Sequence, residues 1–145
     1  MTEGSTAAIA TFLNGLLAGI FIGSCLIEHA MRTLNAPDWI AYKQAKEALF
    51  GPVMPVVFAV VLIATVVLAF LGPHRVAFAT ASLLLVAALL ITVAVHLPLN
   101  RAFGSWSAEA HPPDWSPARR RWRDWNWVRG GLAVLAFAAA EFGTR

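Results

Sequence analysis

The chain has 145 residues, of which 59% are hydrophobic and 13% charged, with a formal net charge of +3. That balance excludes an ordinary soluble globular domain, which carries about twice that share of charge, and the length allows one domain. Most of the sequence lies in four apolar runs of about 20 residues, the length a helix needs to cross a hydrocarbon core of roughly 30 Å. The runs are continuous rather than alternating, which excludes a β-barrel. An unpaired backbone amide in lipid costs several kcal/mol, so each run must close its own hydrogen bonds as a helix. The expected fold is all-α: one membrane domain over residues 1–145, a four-helix transmembrane bundle with up-down-up-down topology.

The first span covers about residues 7–31. Residues 1–6 hold Glu3 and no Lys or Arg, whereas a secretory signal carries a basic leader, so the run is read as a retained span. Its Cys25 is the single cysteine, so no intramolecular disulfide can form. Gly15, Gly19 and Gly23 recur every four residues, which predicts a stripe against which another helix packs. In the connection 32–51, Trp39, Ile40, Lys43, Ala45, Lys46, Leu49 and Phe50 predict a short helix lying on the membrane surface, with Asp38 as its N-cap after Pro37. The second span, 52–71, begins after Gly51-Pro52, and Gly72-Pro73 separates it from the third, 76–97. The connection 100–124 contains His111-Pro112-Pro113 and Trp115-Ser116-Pro117 and predicts an irregular loop. The fourth span covers 125–142, and Trp106, Trp115, Trp125 and Trp127 read as anchors at the membrane interface.

Arg32, Lys43, Lys46, Arg101, Arg119, Arg120, Arg121 and Arg123 all lie on the side of the two long connections, against Arg75 and Arg145 on the other. Positive-inside bias therefore places the long connections in the cytoplasm and both termini outside. This topology accounts for the basic charge, and nucleic acid is not an expected partner. The expected partners are the lipid bilayer and a hydrophobic small molecule.

Polar residues gather at one set of helix ends. Glu28-His29 close the first span, His96 and Asn100 the third, and Asn126 and Arg129 open the fourth; alternating spans bring these ends to one membrane face. Thr92, His96 and Asn100 are four apart, as are Trp122 and Asn126, with Arg129 three further on, so each set shares a helix face. Pro98 is expected to bend the third helix and turn His96 inward. Charge at this depth is costly and is kept paired or functional, with Glu28 the expected partner of Arg129. Asn14, Thr65 and Glu141 are isolated and read as packing or interfacial residues. No cofactor motif is evident: there is no Rossmann glycine pattern, P-loop or nucleophile elbow. A bound transition metal stays open, with His29, His96 and Glu28 as its ligands, although no HxxxH, HxH or CxxC pair supports it.

The third and fourth spans carry His96-Leu97-Pro98-Leu99-Asn100, then Trp106, then Arg121-Trp122-Arg123-Asp124-Trp125-Asn126-Trp127-Val128-Arg129. With the Gly-rich first span, these clusters resemble the small four-span family that includes the anthrone oxygenases, and the resemblance covers nearly the whole chain. It implies a membrane-embedded oxygenase-like enzyme, in a bacterial inner membrane, acting on a hydrophobic aromatic, anthrone-like substrate by base-assisted reaction with dioxygen. The resemblance marks His96, Asn100, Trp122, Asn126 and Arg129 as pocket residues. His96 or His29 would take the substrate proton. Arg129, Asn100 and Asn126 would hold the oxyanion, and Trp122, Glu28 and Trp106 would contact the substrate. Two rival readings stay open: a metal-dependent membrane oxidoreductase using the same His/Glu pocket, and a non-enzymatic quinone-binding, lipid-binding or accessory membrane protein. A homo-oligomer is open under all three.

Overall fold

The computed structural model describes residues 3–72 and 74–144, except for the side chain of Glu3. Its described regular structure is entirely helical: α1 (Glu3–Ala30), a 3-10 turn (Met31–Thr33), α2 (Ala36–Leu71), α3 (Arg75–Ile91), a π-helical turn (Thr92–His96), α4 (Leu97–Gly104) and α5 (Trp115–Phe142). Three helical stretches, Gly4–Thr33, Ala36–Leu71 and Arg75–Gly104, are long and apolar enough to cross a bilayer, which marks an integral membrane protein. A further long helix, α5, is not among these three. Gly72 leaves the helix as expected, while Pro73 and Arg145 lie outside the described residues.

The helices are longer than the apolar runs. No separate surface helix precedes the second span, because α2 passes through Gly51 and keeps both Pro52 and Pro55 in its interior. A proline forfeits one backbone bond and bends the helix, and neighbouring helices compensate for that inside a membrane protein. The N-cap is Asn35 rather than Asp38: the Asn35 side chain accepts a hydrogen bond from the Asp38 amide at 3.0 Å. In the same way α5 starts at Trp115, well before residue 125, and replaces part of the expected loop with helix. The π turn lies just before Pro98. Pro98 has no N–H for the Ala94 carbonyl and crowds it, and the chain widens so that the Leu97 amide reaches back to the Thr92 carbonyl. The expected disturbance at Pro98 is therefore a wide turn carrying His96, a feature often found at functional sites.

Helix α5 packs against α1 and α3, and α2 packs against α3 and, more lightly, α1. The close approach is made by small residues of α5: Gly130, Ala133, Ala136 and Ala140 are all buried. A Cβ on Gly130 would come within 3.2 Å of Ile22 and 3.3 Å of the Cys25 sulfur. The glycine stripe of α1 does not play the expected part. Gly15 meets the Phe137 ring, but Gly19 and Gly23 face open space, with nothing within 4 Å of a Cβ there. A four-residue repeat advances about 40° per step around a helix of 3.6 residues per turn, so the stripe walks off the contact face. Around this seam lie Leu17, Phe21, Phe58, Phe78 and Leu85. A second core sits at the other end of the bundle, formed by Trp39, Ile40, Phe103 and Trp122, with Trp106 and Trp115 packed against it. Trp106 and Trp115 are thus partly buried packing residues, whereas Trp125 and Trp127 are each 40% exposed.

Candidate functional site

The second core surrounds a charged cluster. Glu28, at the end of α1, is 1% exposed, and Lys43, two turns into α2, is 2% exposed. Lys43 Nζ lies 3.7 Å and Lys46 Nζ 3.5 Å from Glu28 Oε1, while Trp39 Nε1 donates to Glu28 Oε2 at 3.4 Å. Burying ions in a low-dielectric interior costs several kcal/mol each unless they are paired and hydrogen-bonded. Lys46 is further satisfied by donating to Ser24 Oγ at 2.9 Å. Lys43 rests on an aromatic face, its Nζ 3.1 Å from the Trp122 ring centroid, a cation–π contact with the partner best suited to it.

Trp122 connects this cluster to the third helix. Its Nε1 donates to Asn100 Oδ1 at 2.8 Å, and Asn100 Nδ2 donates to Glu47 Oε2 at 3.0 Å. On another edge the His96 ring meets Trp122 at 4.9 Å, nearly perpendicular. His96 Nε2 lies 3.3 Å from the Trp122 carbonyl, which only an Nε2–H tautomer can satisfy, and Nδ1 is left buried without a hydrogen-bond partner. One turn along α5, Asn126 donates to Ser24 Oγ and Cys25 Sγ and accepts Arg129 Nη2 at 2.6 Å. Arg129 also donates to Thr92 Oγ1 at 3.3 Å and lies over the Phe21 ring at 4.3 Å. Among the described residues, no carboxylate is within salt-bridge distance of it.

The cluster opens into a cleft of about 360 Å³ between α2 and α4, lined by Lys43, Gln44, Glu47, Ala48, Asn100, Phe103 and Gly104. Gln44 holds the cleft's far end by donating to the carbonyls of Phe103 and Trp106 at 3.0 and 2.8 Å. Behind the second core, Arg119 closes the end of α1 by donating to the Met31 and Leu34 carbonyls, between the rings of Trp39 and Trp115. Burial pushes its guanidinium below the ordinary arginine range, against the pull of Glu28.

The structure thus brings Glu28, His96, Asn100, Trp122, Asn126 and Arg129 to one end of the molecule, with only Asn100 on the cleft wall. His29 is exposed and stands apart from them. Trp106 contributes its carbonyl and a ring 4.9 Å from Phe103, not a cleft surface. The expected Glu28–Arg129 pair does not form, because α2 inserts two lysines beside Glu28 and leaves Arg129 with Asn126 Oδ1 and Thr92 Oγ1. His29, His96 and Glu28 do not assemble as ligands, and among the described residues no three His, Cys, Asp or Glu side chains form a metal-binding group. Lys43 and Glu47 are the residues that sequence reasoning missed. Trp39, Lys43, Lys46 and Glu47 repeat at helical spacing and mark one face of α2; the surface-helix reading kept that face out of the site.

The anthrone oxygenase family profile matches residues 39–139. The chain belongs to the anthrone oxygenase family. The match begins at Trp39 and so takes in the part of α2 that carries Lys43 and Glu47, together with every site residue on α4 and α5. No curated protein and no solved structure matches the chain.

Proposed function

We propose that the four long helices form a transmembrane bundle that binds a flat, hydrophobic phenolic substrate of the anthrone class in the α2–α4 cleft and oxidises it with dioxygen. The observation that carries this reading is the cleft itself. An ammonium, a carboxylate, an amide and the Phe103 ring meet in one opening where buried charge converges, and its size falls within the range of roughly 300–1,000 Å³ typical of small-molecule sites. Family membership supports the substrate class. The site stands on helices, so its polar groups are held in place before a substrate arrives.

The chemistry needs a base and an oxyanion partner but no electron source beyond the substrate. Loss of one methylene proton sends an electron pair towards the carbonyl oxygen and makes an electron-rich aryl oxide. That anion gives one electron to dioxygen, and the two radicals join through a new C–O bond; protonation yields a hydroperoxide. Loss of the second methylene proton breaks the O–O bond, water departs, and a carbonyl remains. The methylene and one O2 become a C=O and one H2O. In this scheme His96 positions Trp122, and Asn126 and Arg129 tie α5 to Ser24, Cys25 and Thr92.

Purified protein in nanodiscs, given anthrone, should consume one O2 for each anthraquinone formed, well above the protein-free rate. Binding of anthraquinone without turnover would instead make the protein a quinone binder, and absence of both would reject the reading. We further propose that the cleft end faces the cytoplasm. Lys43, Lys46 and Arg119 are inside the protein, but Arg32, Arg101, Arg120, Arg121 and Arg123 still lie at that end. A cysteine placed at Ser107 should react with an impermeant maleimide only after the cells are opened; labelling in intact cells would reverse the orientation.

A further inference from the structure

We infer that Glu47 is the base that takes the substrate's methylene proton and that Lys43 holds the oxyanion it leaves behind; this rests on the proposed oxidation and assigns its first step. The assignment comes from position. Among the charged side chains at this end of the molecule, Lys43 and Glu47 are the two that line the cleft. They are four residues apart on α2 and so sit one above the other on the same face. A flat substrate lying along Phe103 meets a carboxylate and an ammonium together.

Each is placed by its neighbours as its role needs. Glu47 has one oxygen engaged by Asn100 Nδ2 at 3.0 Å, and Asn100 is in turn fixed by Trp122 Nε1 at 2.8 Å. The other oxygen, Oε1, lies beside Gly51, where an added Cβ would come within 3.3 Å, and among the described residues none donates a hydrogen bond to it. One carboxylate oxygen therefore orients the group while the other keeps its lone pairs for a proton. Lys43 has Glu28 at 3.7 Å as its counter-charge and the Trp122 face beneath it. Glu28 is buried and does not line the opening, so it stands beside Lys43 without competing for the substrate. His96 does not fit the same role, because it is buried against Trp122 and does not line the opening.

In the first step a Glu47 oxygen forms the new O–H bond as the substrate C–H bond breaks. The electron pair moves through the ring system to the carbonyl oxygen, which becomes an aryl oxide paired with the Lys43 ammonium. Glu47 then returns its proton to the peroxide oxygen after dioxygen has added to the carbon. A carboxylate base beside a preformed oxyanion partner is a known solution for removing a proton next to a carbonyl.

The step can be observed without dioxygen. Anthrone incubated anaerobically in D2O with the nanodisc-embedded protein should gain deuterium at its methylene, faster than without protein. Glu47→Gln keeps the shape and an oxygen for Asn100. It should slow this exchange by about a hundredfold or more, the usual range for a general base, while still binding anthraquinone. Lys43→Gln should also slow exchange, with Lys46 still paired to Glu28. Glu47→Gln protein that exchanges deuterium at the wild-type rate while binding anthraquinone would overturn the assignment and leave the oxidation itself standing. Wild-type protein that neither exchanges nor consumes dioxygen with anthrone would overturn the oxidation and this assignment with it.

Discussion

The two ends of the bundle are held together by different physics. Around Ala133, Ala136 and Ala140 the helices touch through small side chains, and the cohesion is close van der Waals contact with almost no charge. Around Glu28 and Trp122 the same helices surround two lysines, a glutamate, a histidine and two arginines, stabilised by rings and ion pairs. The first arrangement is what a membrane protein needs in order to assemble. The second is costlier than an apolar core of the same volume, so its retention points to chemistry, and the cleft opens at this end.

The sharpest way to break this contrast is to unbalance the charged end. Glu28→Gln should destabilise the protein by about 3–5 kcal/mol in a denaturant titration, because it leaves buried lysines without their counter-charge. Adding Lys43→Met should recover much of that loss, and a double variant no more stable than Glu28→Gln would show that the pair is not coupled. At the apolar end, Gly130→Leu should cost about 1–3 kcal/mol by forcing α5 away from Ile22 and Cys25. Gly19→Leu should melt with the wild type, because nothing lies opposite Gly19. His96→Gln, measured in the oxygen-uptake assay, should reduce turnover by less than about tenfold, or 1.4 kcal/mol, if His96 positions Trp122; complete loss would make it the base. A small effect belongs to a polar contact inside the apolar end, where Asn14 Nδ2 donates to Thr65 Oγ1 at 2.8 Å. Thr65→Val should cost only about 0.6 kcal/mol, the average for such bonds within a membrane bundle.

The apolar end was the more legible in the sequence, since run length and continuity suffice to place spans. Even so, the glycines on α1 misled, because a four-residue repeat does not stay on one helix face; the small residues that matter are spread over Gly130, Ala133, Ala136 and Ala140. At the charged end, counting alternate helix ends led to a convergence of Glu28, His29, His96, Asn100, Asn126 and Arg129; the structure leaves His29 exposed, and of the six only Asn100 lines the cleft. The partner of Glu28 did not follow. Pro52 read as a helix start, and that cut Lys43 and Glu47 off from the span to which they belong. Hydropathy cannot show that a lysine on a long helix points inward, because burial of Lys43 depends on Glu28 and Trp122, which are distant in the chain. The π turn was visible only as a proline, and its width is decided by the carbonyl that Pro98 leaves free.

The central claim is that the substrate lies between α2 and α4, and protection of a single introduced thiol tests it most directly. The native Cys25 is fully buried, whereas Gly104 lines the cleft and has open space around it. In Gly104→Cys protein, saturating anthraquinone should slow alkylation by a maleimide, and the same ligand should leave alkylation of His29→Cys protein unchanged. Equal alkylation at Gly104→Cys with and without bound anthraquinone, or protection at His29→Cys instead, would contradict the account.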